Sequence, residues 1–323
     1  MRGRPAWLWI LLVIAGVGLV PVVMTDAFFL RLFTEALMWI GLAITWDIMA
    51  GYIGYLNFGH GVFFGVGAYT TALLIIKTGL PFGPAAALGG VAAGVVALVT
   101  GWPTLRLRGS YFAIGTWALN RAVMQLALVL DITGGADGMR LPPFLRPQFF
   151  SWVMTGVVGA TFLVLWLWLE QAPFGLKLKA IREDESGSLA IGLNPAKLKL
   201  QAFVLSAVPA GIIGGVYAYW ITFIDPSSTL GDLVTDQAVV MAIFGGLGTL
   251  IGPVIGAILF FAFKTYFWAY LSDYQVLYLI ILGLAIAATV FFLPDGFWGT
   301  VARRQEGRRA LQKGLALRDT KAT

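Results

Sequence analysis

The chain has 323 residues, 59% hydrophobic and 12% charged, with a net charge of +6 from 22 Lys+Arg against 16 Asp+Glu. Soluble domains lie nearer ~45–50% apolar and ~25% charged, so a water-soluble enzyme and a disordered or fibrous chain are excluded, as is the charge-rich surface of a nucleic-acid binder. With no Cys and one His, His60, the chain also excludes disulfides, thiolate zinc sites, Cys nucleophiles and most His-based metal clusters.

A bilayer span takes about 20 predominantly apolar residues. In chain order, spans are predicted at Trp7–Met24, Phe28–Ala50, Phe58–Ile76, Phe82–Gly101, Tyr111–Leu130, Phe149–Leu169, Leu200–Ile221 and Tyr274–Leu293. The first reads as an uncleaved helix, because no small-x-small cleavage site follows it. Gln237–Phe263 is also apolar, but Gly245-Gly246-Leu247-Gly248-Thr249 and Gly252-Pro253 crowd its centre. That pattern suits two half-helices with a turn at membrane depth; the other reading is one long tilted helix.

Basic residues set the orientation, since Lys and Arg in short loops stay cytoplasmic. Arg2 and Arg4 place the N-terminus inside, followed by Asp26 outside and Arg106 and Arg108 inside. Glu170–Lys199, with Lys177, Lys179, Arg182, Lys197 and Lys199, falls inside, whereas Asp131–Gln148 and the acidic stretch with Asp225, Asp232 and Asp236 fall outside. The tail from Val301 holds seven Lys+Arg and two Asp+Glu, nearly the whole net charge, so it too belongs inside, where it meets anionic headgroups or a partner. Both termini are then cytoplasmic, and parity closes only if Gln237–Phe263 enters and leaves on one side. The expected fold is an all-α polytopic membrane protein, with about eight transmembrane helices plus a re-entrant or broken helix pair. One transmembrane domain covers residues 1–300, and a basic cytoplasmic tail covers 301–323.

Along this frame the first feature is Gly51–Gly61, with four Gly around Asn57 and His60. Unwound backbone at membrane depth must be lined by protein or water, so the stretch is a tight turn or a gate. A weak echo of Gly51–Tyr69 recurs at Ala238–Leu259, both Gly-rich and interrupted in the middle. Arg121 lies mid-span, where a charge faces the bundle interior or a cavity; Asp47 and Glu35 are its candidate partners. Thr133-Gly134-Gly135-Ala136-Asp137-Gly138 follows as a turn or as the lining of an outer mouth. In Glu170–Lys199, a short helix through Ala180, Arg182, Glu183, Asp184 and Glu185 is expected to close at Gly192. Asn194 and Pro195 then open the next span. This helix is either a solvated loop or a docking element.

No G-x-x-x-x-G-K-[ST], H-E-x-x-H, G-x-S-x-G or C-x-x-C occurs, and Gly246-Leu247-Gly248 lacks the third Gly of a dinucleotide loop. A Ser-His-acid triad would have to use His60, which has no organised carboxylate near it in sequence.

Together the motifs are similar to those of branched-chain amino acid ABC transporter permeases. Gly51-Tyr52-Ile53-Gly54-Tyr55-Leu56-Asn57-Phe58-Gly59-His60-Gly61, continuing to Tyr69, resembles that family's signature. Leu105-Arg106-Leu107-Arg108-Gly109-Ser110-Tyr111, the Thr133–Gly138 run, Ala180–Glu185 with Gly192, and Gly245–Thr249 with Gly252-Pro253 follow in family order. The resemblance implies a multi-pass subunit of a prokaryotic inner-membrane importer. It further implies a second related permease, two cytoplasmic ATP-binding subunits that hydrolyse ATP, an external solute-binding protein, and no cofactor on this chain. Ala180, Arg182, Glu183, Asp184, Glu185 and Gly192 then become the ATPase-coupling loop. Asn57, His60, Arg121, Gly245, Gly246 and Gly248 become pathway or gate candidates, and Thr133, Gly134, Gly135, Asp137 and Gly138 an external loop. Urea and short-amide importers share much of this pattern, and a transporter or channel without an ATPase is the other class.

Overall fold

The computed structural model describes residues 6–24, 26–144, 146–271, 283–284 and 296. The predicted span Tyr274–Leu293, apart from residues 283–284, and the basic tail lie outside the described residues. The first half of the chain forms α1 (Ala6–Val23), α2 (Ala27–Asp47), α3 (His60–Thr78), α4 (Phe82–Thr104), α5 (Ser110–Val129) and α6 (Pro147–Leu165). After these come α7 (Pro173–Glu183), α8 (Glu185–Ala190), α9 (Pro195–Ile221), α10 (Pro226–Leu230), α11 (Asp232–Gly245) and α12 (Ile251–Leu271). Six described helices are long and apolar enough to cross a bilayer: Ala27–Ile53, His60–Thr78, Phe82–Thr104, Ser110–Val129, Pro147–Gln171 and Pro195–Ile221. Trp7–Val23 and Ile251–Phe267 are shorter apolar helices. The chain is therefore an all-α, multi-pass membrane protein.

Local chemistry sets the helix ends. Asp26 caps α2 by accepting the Phe28 amide at 2.8 Å, and Asn194 caps α9 by accepting the Lys197 amide at 3.1 Å. Pro147 and Pro195 occupy first turns, where their missing N–H costs nothing. The second span runs on past Ala50, because α2 widens into a π-helical turn, Ile48–Ile53, before Gly54 stops it at φ +83°. Asp184, in extended backbone, accepts the Ser186 amide at 2.9 Å. The expected single loop helix is thus two, α7 and α8, with Gly192 closing the second at φ +85°.

The centre of the bundle is α3, α4 and α9, packed backbone to backbone. A Cβ on Gly67 would lie 2.0 Å from the Gly211 carbonyl oxygen, and one on Gly214 would lie 2.0 Å from that of Phe64. Small residues permit this approach where lipid supplies no hydrophobic drive for helix association. Trp46, Tyr52, Phe63, Phe64, Phe112 and Phe203 fill the space around that seam, all fully buried.

Gln237–Phe263 is broken, as its Gly-rich centre suggests: α11 and α12 pack against each other and are separated by Gly246–Leu250. One expectation is revised: Asp232 and Asp236 do not sit in a loop but in α11. The chain after Asp225 descends along α3, with Leu230 against Gly65, until Asp232 pairs with Arg121 near the middle of α5. The described residues also contain one two-stranded antiparallel ribbon, β1 (Met139–Arg140) with β2 (Phe223–Ile224).

Candidate functional site

The broken elements converge where α2 ends. Asp47 is buried, and its carboxylate accepts the Gly248 amide at 3.1 Å to each oxygen. Gly51, in the π-helical turn, faces the same point: a Cβ there would lie 2.1 Å from the Gly248 nitrogen and 2.2 Å from the Asp47 carboxylate. Arg182 of α7 closes the junction by donating to the Gly51 carbonyl, and its aliphatic stem lies beside Gly54. One loop-helix side chain thus touches the π-helical turn directly and stands beside the break between α11 and α12. Gly245 and Gly246 form the other side of that break, where a Cβ on Gly245 would lie 1.8 Å from the Gly252 carbonyl oxygen.

A second polar cluster ties the loop helices to the spans. Glu185 accepts from Lys199 at 2.8 Å and from the Tyr55 hydroxyl at 3.1 Å, and Arg108 stands 3.8 Å away. Partial burial works to raise the Glu185 carboxyl. The hydrogen bond and charge of Lys199, the Tyr55 hydroxyl and the Arg108 charge outweigh it and hold the group below its ordinary value. Tyr52 donates to Glu170 at 2.6 Å, with the Lys179 ammonium 4.9 Å from its ring centroid. Of the coupling-loop candidates, Arg182 reaches Gly51 and Glu185 reaches Lys199 and Tyr55; Ala180 and Glu185 are half-buried, and Arg182, Glu183, Asp184 and Gly192 are exposed. Leu176, Leu189 and Ile191 stand exposed beside them.

The pathway candidates divide. Asn57 and His60 are buried: Asn57 accepts the Gly59 amide at 2.9 Å, and His60 Nε2 lies 3.0 Å from the Thr45 hydroxyl. Arg121 pairs with Asp232, not with either expected partner; Asp47 holds Gly248, and Glu35 lies 3.7 Å from Lys264. Asn120, the neighbour of Arg121, donates to the Leu230 carbonyl at 2.9 Å. The Thr133–Gly138 run is a staple. Thr133 donates to the Ala127 and Leu130 carbonyls, and Gly134, Gly135 and Gly138 have positive φ. A Cβ on Gly138 would strike the Ile224 carbonyl across the ribbon at 2.4 Å. Asp137 is exposed.

Sequence reasoning missed Asp47 as the ligand of Gly248, Asp232 as the partner of Arg121, and Tyr55 and Lys199 as partners of Glu185. Asp47 and Lys199 did carry a signal, since each is a charge inside or at the edge of a span.

Known proteins are similar to this chain. The high-affinity branched-chain amino acid transport system permease protein LivM of Salmonella typhimurium is 29% identical, over 81% of this chain and 68% of its own. LivH of Escherichia coli, named as a permease of the same kind of system, is 25% identical over 72% of this chain and 82% of its own. The autoinducer 2 import system permease protein LsrC of Yersinia pestis is 30% identical over 48% of this chain and 45% of its own. No solved structure matches. The family described as branched-chain amino acid transport system / permease component matches residues 28–290, most of the helical bundle, and the chain belongs to that family as a multi-pass membrane permease.

Proposed function

We propose that the chain is the permease subunit of an ATP-driven importer in a prokaryotic inner membrane, carrying branched-chain amino acids handed over by an external binding protein. Family membership over residues 28–290 carries the reading. The Arg182 junction supplies a means, because it joins a loop helix to both broken segments. ATP is hydrolysed by two partner subunits, since the sequence holds no phosphate-binding loop of its own. Those subunits dock on the loop face formed by Glu183, Leu176, Leu189 and Ile191 and push α7. The termini lie in the cytoplasm with this loop.

A second, related permease covers the outer face of α5. Tyr111, Ile114, Trp117 and Val129 are exposed there, and the Arg121 side chain in their midst is 45% exposed. Lipid does not satisfy a charged pair near mid-span, so protein or a water-filled path must cover it.

Uptake of labelled leucine is to be measured in proteoliposomes holding this chain with the second permease, the ATPases and the binding protein. Uptake that depends on ATP hydrolysis and is competed by isoleucine and valine supports the reading. Uptake that persists without hydrolysis points to a secondary transporter or channel and overturns it. Competition by urea or acetamide alone, or by another amino acid class, moves the substrate and leaves the mechanism in place.

A further inference from the structure

Helix α2 ends at the Arg182 junction, and its first half borders a recess of about 180 Å³ between α2, α3, α9, α10 and α11. At the ~30 Å³ share of a liquid water this is room for about six waters. That suits a solute the size of a free amino acid and is below the range of drug-sized pockets. Arg31, Glu35 and Trp39 follow one another at four-residue spacing, so they share one face of α2 and all line the recess. Phe64 from α3 and Tyr217 and Trp220 from α9 supply aromatic wall.

The charges in this recess are not spent on each other. Arg31 and Glu35 have the spacing of a helical ion pair, yet among the described residues Arg31 enters no salt bridge. Glu35 accepts the Trp39 indole N–H at 3.3 Å and has Lys264 at 3.7 Å. Lys264 gives its hydrogen bond to Gln237 at 2.9 Å. An ionised carboxylate offers about four acceptor sites, so Glu35 keeps capacity for another donor. A larger groove of about 880 Å³, between α4, α6 and α9, has almost wholly apolar walls and lacks such a pair of opposite charges.

We propose that the Arg31–Glu35 recess binds a zwitterionic amino acid with an apolar side chain. The Arg31 guanidinium takes the α-carboxylate in its planar fork, Glu35 takes the α-ammonium, and the aromatic wall takes the side chain. The choice of side-chain class rests on the importer reading above. The two charge contacts rest on the shared lining of the recess and on the capacity that Arg31 and Glu35 keep there.

The test is binding of tritiated leucine to the purified full-length permease by scintillation proximity, alongside the uptake assay. 4-Methylpentanoate, which lacks the ammonium, and 3-methylbutylamine, which lacks the carboxylate, serve as competitors. Leucine is expected to displace the label at least tenfold better than either. Arg31→Gln and Glu35→Gln are each expected to weaken binding at least tenfold with an unchanged melting temperature, and Arg31→Lys to recover part of the loss. If leucine does not bind, if the acid or the amine competes equally, or if both glutamine variants bind as wild type does, the site is overturned, even while ATP-dependent uptake continues. Variant-sensitive leucine binding without ATP-driven uptake in the assembled system leaves the site standing and overturns the importer reading.

Discussion

Gly51 and Gly248 touch backbone to backbone, although about two hundred residues separate them: a Cβ on Gly51 would lie 2.1 Å from the Gly248 amide nitrogen. Each belongs to one of the two interrupted segments that echo each other in sequence, so the two breaks meet in the fold. The Gly248 backbone and the buried Asp47 carboxylate both crowd that position. Gly51→Ala must displace backbone or the Asp47 carboxylate, and overpacking of this kind costs about 1–3 kcal/mol. A clearly lowered melting temperature in detergent and reduced uptake are expected. Gly83→Ala, with nothing within 4 Å of the added Cβ, is the control and should leave both unchanged. Equal behaviour of the two variants would show that the breaks do not need this contact.

Asp47→Ala removes the acceptor of the Gly248 amide and leaves that N–H buried without a partner, at a cost of about 1–3 kcal/mol. Asp47→Asn keeps a carbonyl oxygen at the same place. The alanine variant is therefore expected to melt distinctly lower than the asparagine variant. Matching melts for the two would mean that the carboxylate does not hold the α11–α12 break.

What the sequence disclosed follows from how each signal arises. Six of the spans were legible because apolar length is a one-dimensional property, and the break at Gly246–Leu250 because Gly and Pro act locally. Asn194 and Gly192 declared helix ends for the same reason. The pairing of charges was not legible: Arg121 found Asp232 only because the chain after Asp225 descends along α3, and no local rule encodes that descent. The contacts of Arg182 with Gly51 and of Glu185 with Tyr55 were equally hidden, because each joins residues about 130 positions apart.

Arg182→Lys keeps the charge but loses the fork that reaches the Gly51 carbonyl beside Gly248. In the assembled importer this variant is expected to co-purify with the ATPases normally and hydrolyse ATP, while solute moved per ATP falls several-fold. Glu183→Arg, on the exposed face, should instead reduce co-purification. If both variants fail in the same step, α7 does not divide its faces between docking and transmission.

Glu185 makes the loop sensitive to acid. Its carboxyl is held below the ordinary glutamate value of 4.5 in the folded chain. A depressed carboxyl contributes stability above its unfolded value and loses it as pH falls through the folded one. The melting temperature of wild type should exceed that of Glu185→Gln by a constant margin from pH 7 down to about the ordinary value, and the margin should shrink below it. A margin independent of pH would assign the contribution to packing and hydrogen bonding and not to the charge shared with Lys199 and Arg108.

The Arg121–Asp232 pair tests whether α5 faces a partner. A charge left alone near mid-span is costly, so Arg121→Met and Asp232→Asn should each impair function, the second more because it strands an arginine. The exchanged pair, Arg121→Asp with Asp232→Arg, restores opposite charges in the same place and should recover part of the uptake. Cysteines at Trp117 and Ile114, in a chain with no native Cys, should cross-link to the second permease if that subunit covers this face. Recovery without cross-linking would instead indicate that α5 lines a water-filled path. Absence of both, with single variants active as wild type, would show that the pair bears on neither assembly nor transport.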